Sequence, residues 1–320
     1  PLMTQRPYDL MVVGELNADI LLTGDVDPEF GQVEKLIDDV SICAGSSSGI
    51  FAAAAAKLGL KVLYASRVGD DLLGHFMVEA LNEAGVDTSH VHVDPQIKTG
   101  VTVLLSKGQD RAMLTYLGSI AAVGPEDVRA EWYAQARHLH VASPFILTRL
   151  RPSIPAMMRR AHEAGATVSL DTNWDPAGVW ELPGFFEHLD VFLPNMAELM
   201  AISARQTFSE ALEAMSARVP VVAVKMGEEG AVGAQRSSAS DPLEIVRVPA
   251  LPVEVVDTTG AGDTFDAGFL AGWLRGRPLE ECLALGAVCG AMTTTIAGGF
   301  NGQPTADEAQ ALARTLLAGR

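Results

Sequence analysis

The chain has 320 residues, 48% of them hydrophobic and 20% charged, the proportions of a globular protein with a sizeable core. Its formal net charge of -17 sets a repulsive field against polyanions, which argues against nucleic acid or an anionic membrane as a partner. The three cysteines, Cys43, Cys282 and Cys289, show no CxxC spacing, no charged-then-apolar leader opens the sequence, and Pro1 and Leu2 ahead of Met3 read as the remnant of a tag. A reducing cytoplasm is the expected location.

In chain order, Leu10 to Val13 reads as a buried strand ending in Gly14, with Glu15, Asn17 and Asp19 following before the apolar Ile20 to Leu22. Ser46 to Ser48 can cap an alanine-rich helix from about Ile50 to Leu58, stopped by Gly59. A second helix is spaced by Leu72, Leu73, Phe76, Met77, Ala80, Leu81 and Ala84 and stopped by Gly85. Glu34 to Ile42 does not fit a βαβ rhythm, nor do Gly100 to Ser106 and Ala112 to Tyr116, which, joined by Lys107-Gly108-Gln109-Asp110, predict a hairpin. These segments lie outside the main rhythm and predict a small β lid over roughly residues 17–44 and 98–118.

Strand-like runs at Thr167 to Leu170, Val191 to Leu193 and Val219 to Val224 then alternate with helical stretches at Ile154 to Ala164 and Ser209 to Ala217. Such alternation predicts an α/β fold, a mostly parallel sheet with helices on both faces. Cys282 to Phe300 is uncharged and as long as a membrane span, but its threonine run and glycines make it a buried core helix. With no repeat or long linker, residues 1–320 read as a single domain.

The most informative stretch is Asp257-Thr258-Thr259-Gly260-Ala261-Gly262-Asp263-Thr264-Phe265, which follows the apolar Val253 to Val256 and leads into a helical pattern through Leu274. Glycines at a helix start let backbone N–H groups approach an anion closely, and the helix dipole favours negative charge there. Asp263 falls in the first turn, where its carboxylate can face the same spot, so that a hydroxyl held between them would lose its proton while attacking a γ-phosphoryl group. An unperturbed Asp, with a pKa of about 4, is a weak base. Phosphoryl transfer depends mainly on alignment and charge stabilisation, so weak basicity is no objection. Taken alone, the segment also reads as a plain helix cap over a tight turn.

This stretch resembles the second signature of the ribokinase-like, or PfkB, carbohydrate kinases, Asp-Thr-x-Gly-x-Gly-Asp late in the chain. Val68-Gly69-Asp70-Asp71-Leu72-Leu73-Gly74 is similar to the family's Gly-Asp-Asp-x-x-Gly, Asn195-Met196-Ala197-Glu198 to its Asn-x-x-Glu after a strand, and Lys225 to Gly230 to its nucleotide-side Gly-x-x-Gly loop. The resemblance implies a three-layer α/β/α fold and transfer of a phosphoryl group from ATP to a sugar-like hydroxyl, with magnesium as cofactor. By it, Gly260, Ala261 and Gly262 would form the anion hole, Asp263 the base, and Lys225, Gly227, Gly230 and Asn195 the nucleotide contacts. Glu198 and Asn195 would organise magnesium through water. Asp257 and Thr259 would lie where many members bind a monovalent cation such as potassium, with carbonyls from the Gly298 to Gly302 loop. Read without the family, Asn195 and Glu198 are a helix cap and a solvated acid. Lid strands of the family often pair into homodimers.

On the acceptor side, Asn17 and Asp19 match family residues that bind sugar hydroxyls, and a carboxylate at Asp19 can accept from two neighbouring hydroxyls. The family's Gly-Gly-x-x-x-Asn becomes Gly45-Ser46-Ser47-Ser48-Gly49-Ile50, so one hydrogen-bonding contact is replaced by Ile50. Ser46 and Ser48 are candidate substitute hydroxyls or helix caps. The serines here, where phosphosugar kinases add positive charge, favour an unphosphorylated acceptor, although Arg67, Lys98 or Arg111 pointing inward would accommodate a sugar acid. Two alternatives stay open: a nucleoside kinase, with Phe30, Phe51 and Tyr116 as stacking candidates, and a catalytically silent binder of the same fold. Ser143 and Pro144 follow an apolar strand near the cleft. His90 with His92 and His138 with His140 share strand spacing but lack the further ligands of a zinc site.

Overall fold

The computed structural model describes residues 6–107, 110–236 and 241–319. The chain opens with β1 (Tyr8–Val13), β2 (Asn17–Thr23), β3 (Asp39–Ala44), α1 (Ser47–Lys57), β4 (Val62–Gly69), α2 (Leu72–Glu83) and β5 (Asp87–Asp94). It continues with β6 (Gly100–Lys107), β7 (Asp110–Tyr116), α3 (Ser119–Ala122), β8 (Ala136–Ala142), α4 (Ile154–Glu163), β9 (Thr167–Asp171), β10 (Val191–Phe192), α5 (Met196–Ser203) and α6 (Phe208–Ser216). β11 (Val221–Lys225), β12 (Ala231–Gln235), β13 (Glu244–Val248), α7 (Ala261–Trp273), α8 (Leu279–Thr293) and α9 (Ala306–Ala318) complete it.

One sheet of nine strands runs in the order β13-β12-β11-β10-β9-β8-β1-β4-β5. From β5 to β11 every pairing is parallel, while β12 and β13 are added antiparallel at one edge. A parallel sheet must be covered on both sides. Leu10 and Val12 of β1 accordingly enter a core with α1, α7 and α8, while Met11 and Val13 enter the opposite core with α4 and α6. The order reverses between β1, which leads to β4, and β8, and at such a switch point strand ends open a crevice. Gly14 to Asn17, Ser143 and the residues after β9 lie at these carboxyl ends.

A second sheet, β3-β2-β6-β7, stands apart from the first. Its register aligns Ile42, Ile20, Val103 and Leu114 in one row, with Val40, Leu22, Leu105 and Ala112 in another on the same face. Asp19, Cys43, Thr102 and Thr115 share the other face. The hairpin between β6 and β7 pairs as its sequence predicts, with Gly108 and Gln109 outside the described residues.

The uncharged segment after Cys282 is helical only to Thr293, and among the described residues no helix is long and apolar enough to cross a membrane. It packs as core, with Cys282 and Cys289 buried. α7 and α8 approach closely: a Cβ on Gly290 would lie 2.9 Å from the Ala261 carbonyl oxygen. His138 and His140 are buried on β8, hydrogen-bonded to Thr167 and Ser169, and His140 stacks on Phe51 at 3.8 Å. Burial drives both imidazoles below their usual range, His140 to about 3, so they stay neutral.

Candidate active site

Gly260 takes a left-handed conformation (φ 75°) as the N-cap of α7, with no side chain capping the first turn. A Cβ there would meet Ile50 Cγ2 at 2.8 Å and Gly299 Cα at 3.0 Å, so glycine is required twice over. The amide of Ala261 leans on the Thr258 carbonyl at 3.3 Å. Among the described residues, the amides of Gly262 and Asp263 meet no acceptor, which leaves donors at the positive end of the helix.

Asp263 lies in that first turn, 9% exposed. The Ser47 hydroxyl, at the start of α1, donates to its Oδ1. The carboxyl is pushed up to about 8, first by burial and then by the neighbouring Asp171, against lowering by Ser47 and Lys225 and with a smaller push from Glu15. The same turn of α7 that carries this carboxylate therefore also presents unpaired amides. A reacting alcohol and an anion can meet there.

Behind it sits a buried ion cluster. The Lys225 ammonium, at the end of β11, holds Asp171 at 2.7 Å and both oxygens of Asp266 at 3.2 Å. Asp171 would be raised by burial, but Lys225 outweighs this and holds it below its usual range, while Asp266, one turn beyond Asp263, is driven well up, chiefly by burial. The side chain of Lys225 is thus committed to carboxylates, and a Cβ on Gly262 would lie 3.6 Å from its ammonium. What the Lys225–Gly230 loop leaves open is backbone, with Gly227 and Gly230 both at positive φ.

Asn195 and Glu198 form a reciprocal cap on α5: Glu198 N–H donates to Asn195 Oδ1, and Asn195 N–H and Nδ2 donate to the two Glu198 oxygens, all at 2.8–2.9 Å. The cap reading holds, but Glu198 is no solvated acid. It is 4% exposed and raised to about 7 by burial, with Asp171 adding to the rise. Asp257 ties two loops, accepting from Thr259 N–H at 2.9 Å and Oγ1 at 2.8 Å and from Gly298 N–H at 2.9 Å.

Asn17 and Asp19 are buried side by side, with Asn17 Nδ2 donating to Asp19 Oδ1 at 3.2 Å, and a side chain on Gly45 would collide with Asp19. Of the two readings of Ser46 and Ser48, the cap holds for Ser46, and neither is left as a free hydroxyl. Ser46 donates to the Glu15 carbonyl at 2.6 Å and caps α1 through Gly49 N–H, and Ser48 donates to the Glu15 carboxylate at 2.8 Å. Their hydroxyl protons are used, and only Ser47 faces the base. Ile50, 3% exposed, is wedged between Gly260 and Gly299 and offers no surface to an acceptor.

Arg67 does not reach into the cleft as a free cation: it is held by Asp94, Asp127 and Glu126 at 2.7, 2.8 and 3.3 Å. Lys98 is exposed, and the Arg111 side chain lies outside the described residues. Phe51 is core, Phe30 is 98% exposed and Tyr116 belongs to the apolar face of the small sheet, so none of the three forms a stacking wall. Glu15, Ser47, Asp171, Asn173 and Asp266 were given no role in the site from the sequence. Asp266 had a signal, being one helical turn from Asp263; the others come from different strand ends that only the fold assembles.

Residues 9–306 match the pfkB family carbohydrate kinase profile. The chain is 33% identical over 302 residues to the ATP-dependent ribose-1-phosphate kinase of Halopiger xanaduensis, covering 93% of this chain and 95% of that one. Adenosine kinase from Sinorhizobium meliloti superposes with a TM-score of 0.81 at 28% identity, over 97% of this chain and 99% of that one. Arabidopsis thaliana ribokinase, complexed with ribose and ATP, shares the fold with a TM-score of 0.83 at 24% identity, over 96% and 99% of the two chains. Sheet order, the glycine turn at the head of α7 and the matched span agree: the chain belongs to the pfkB family of carbohydrate kinases.

Proposed function

We propose that this kinase transfers the γ-phosphoryl group of ATP, in line, to a hydroxyl of a small unphosphorylated sugar or sugar-like alcohol. The observation that carries the reading is Asp263 in the first turn of α7, beside helix amides that lack acceptors. The acceptor oxygen attacks the γ-phosphorus, ADP departs, and the acceptor's proton passes to Asp263. Charge gathering on the transferred group falls where Gly260, Ala261 and Gly262 present the head of the helix. Nucleotide lies over the loop containing Gly227 and Gly230, beside Asn195.

Glu198 with Asn195 suits a magnesium ion that brings most of its oxygen ligands on phosphate and water, because one or two protein groups are then enough. A divalent cation there would also draw the Glu198 proton away. Asp257, Thr259 and the carbonyls near Gly298 form the candidate monovalent-cation seat, for potassium. The small sheet acts as a lid, roughly residues 17–44 and 98–118 of a single domain, and excludes water that would hydrolyse ATP.

An unphosphorylated acceptor is favoured by charge. Arg67 and Lys225, the cations the described residues place near the strand ends, are already paired with carboxylates and are not available to an acceptor's phosphate. Asp19, with Asn17, would receive the acceptor's hydroxyls beside Gly45. A screen of ADP release over ribose, fructose, 2-dehydro-3-deoxygluconate, ribose-1-phosphate and adenosine tests the acceptor class, and a preference for ribose-1-phosphate would overturn the neutral reading. Asp263→Asn is expected to lower acceptor-dependent ADP release by about 10²–10⁴-fold, and near-normal turnover would refute its role. The apolar outer face of the lid suits pairing with a second copy of the chain, and the unpaired cysteines suit a reducing cytoplasm.

A further inference from the structure

The hydrogen bonds around the base close into a ring. Asp263 Oδ1 accepts from Ser47 Oγ, and Ser47 Oγ in turn accepts from Asn173 Nδ2 at 2.7 Å. The Asn173 N–H donates to Asp171 Oδ1 at 3.1 Å, Asp171 Oδ2 accepts from Lys225, and Lys225 returns to Asp266 on the same helix as Asp263. Four separate elements, α7, α1, β11 and the end of β9, are thereby tied around one carboxylate. Asn173 sits just past β9 at φ 50°, a left-handed conformation that Asn tolerates better than most side chains, and it is this turn that aims its amide across at Ser47.

A serine hydroxyl has one proton to give. With the Asn173 amide donating to its oxygen, Ser47 is left with its proton directed at Asp263. Oδ1 is thus occupied, and among the described residues nothing donates to Oδ2. We propose that Ser47 and Asn173 are positioning residues for the base: together they fix the plane of the Asp263 carboxylate and leave Oδ2 as the oxygen that takes the acceptor's proton. This rests on the reading of Asp263 as base. In the step itself the acceptor O–H bond breaks as its oxygen bonds to the γ-phosphorus, the proton goes to Oδ2, and the P–O bond to ADP carries away the electron pair. Neither Ser47 nor Asn173 gains or loses a proton.

The test compares Ser47→Ala, Ser47→Thr and Asn173→Ala with the parent and with Asp263→Asn, each checked for an unchanged fold by circular dichroism. Loss of the positioning hydroxyl is expected to lower kcat roughly 10–100-fold, as for other supporting hydrogen bonds in active sites, with the KM for ATP within twofold. Ser47→Thr, which keeps a hydroxyl, should recover most of the rate. Because the hydroxyl favours the ionised carboxylate, Ser47→Ala should also move the acid limb of the kcat profile to higher pH. The other titratable groups facing Asp263 are Asp171, Asp266, Lys225 and Glu15, and they stay in place. A merely structural serine would leave that limb where it is. The double variant Ser47→Ala with Asp263→Asn should be no slower than Asp263→Asn alone. If Asp263→Asn is inactive while Ser47→Ala keeps both its rate and its pH limb, the positioning role is wrong and the base stands; if Asp263→Asn itself turns over, the base reading falls first.

Discussion

Burial beside Asp171 lifts the Asp263 carboxyl to about 8, whereas in the unfolded chain it titrates near its ordinary value of about 4. Between those values the folded protein binds a proton that the unfolded chain releases, so this group makes stability fall as pH rises through the window. Asp263→Asn removes the titration and keeps the hydrogen bond from Ser47. It is expected to melt several degrees above the parent at pH 8.5, with the gap closing toward pH 5, in a pair of thermal scans. On the reading of Asp263 as base, kcat/KM, which reports ionisations of the free enzyme, should climb with pH toward 8. At this scale the sequence was legible where chemistry is local: Gly260 to Asp263 are neighbours in the chain, and their spacing alone set glycine turn and carboxylate on one helical turn. Asp171, Asn173 and Ser47 were not, since each looks like an ordinary strand-end or cap residue until β9, α1 and α7 are brought together. Ile50 was misread in a different way, because a family position that faces the acceptor holds here a side chain turned under the Gly260 turn.

The head of α7 is held in place from behind by α8. Because a Cβ on Gly290 would lie 2.9 Å from the Ala261 carbonyl oxygen, Gly290→Val must push the two helices apart exactly where α7 begins, at a cost of about 1–3 kcal/mol. Turnover should fall more than that loss of stability alone explains, and a paired measurement of melting temperature and kcat would separate the two. Elements with strong patterns were readable: α2, α4 and α6 start and stop within a residue or two of their expected bounds, α2 and α6 opening on side-chain caps and α2 and α4 followed by left-handed Gly85 and Gly165. β12 and β13 escaped. Ala231 to Gln235 has Gly233 at its centre and alanine on either side of Val232 and Gly233, and Glu244 to Val248 is broken by the charges of Glu244 and Arg247, so neither carries the apolar run that betrays a central parallel strand.

At the scale of the molecule, the outer face of the small sheet leaves an apolar patch open, where Val40, Ile42, Leu114 and Tyr116 are each more than half exposed. A patch of this kind on a protein of net charge -17 favours self-association through the patch and disfavours other anionic surfaces. Ile42→Lys with Leu114→Lys is expected to convert a dimer to monomers in light scattering, without moving the Asp263-dependent rate by more than a few-fold; a parent that is monomeric throughout would sink the idea. The same four strands hold one further consequence. Side chains alternate along β2, so Asp19 looks inward only because Ile20 and Leu22 look out. Adding or deleting a single residue between Asn17 and Leu22 would exchange the two sides from that point on, setting a carboxylate on the apolar outer face and an aliphatic chain on the inner one. Evolution can lengthen this strand only two residues at a time, or else at its turns.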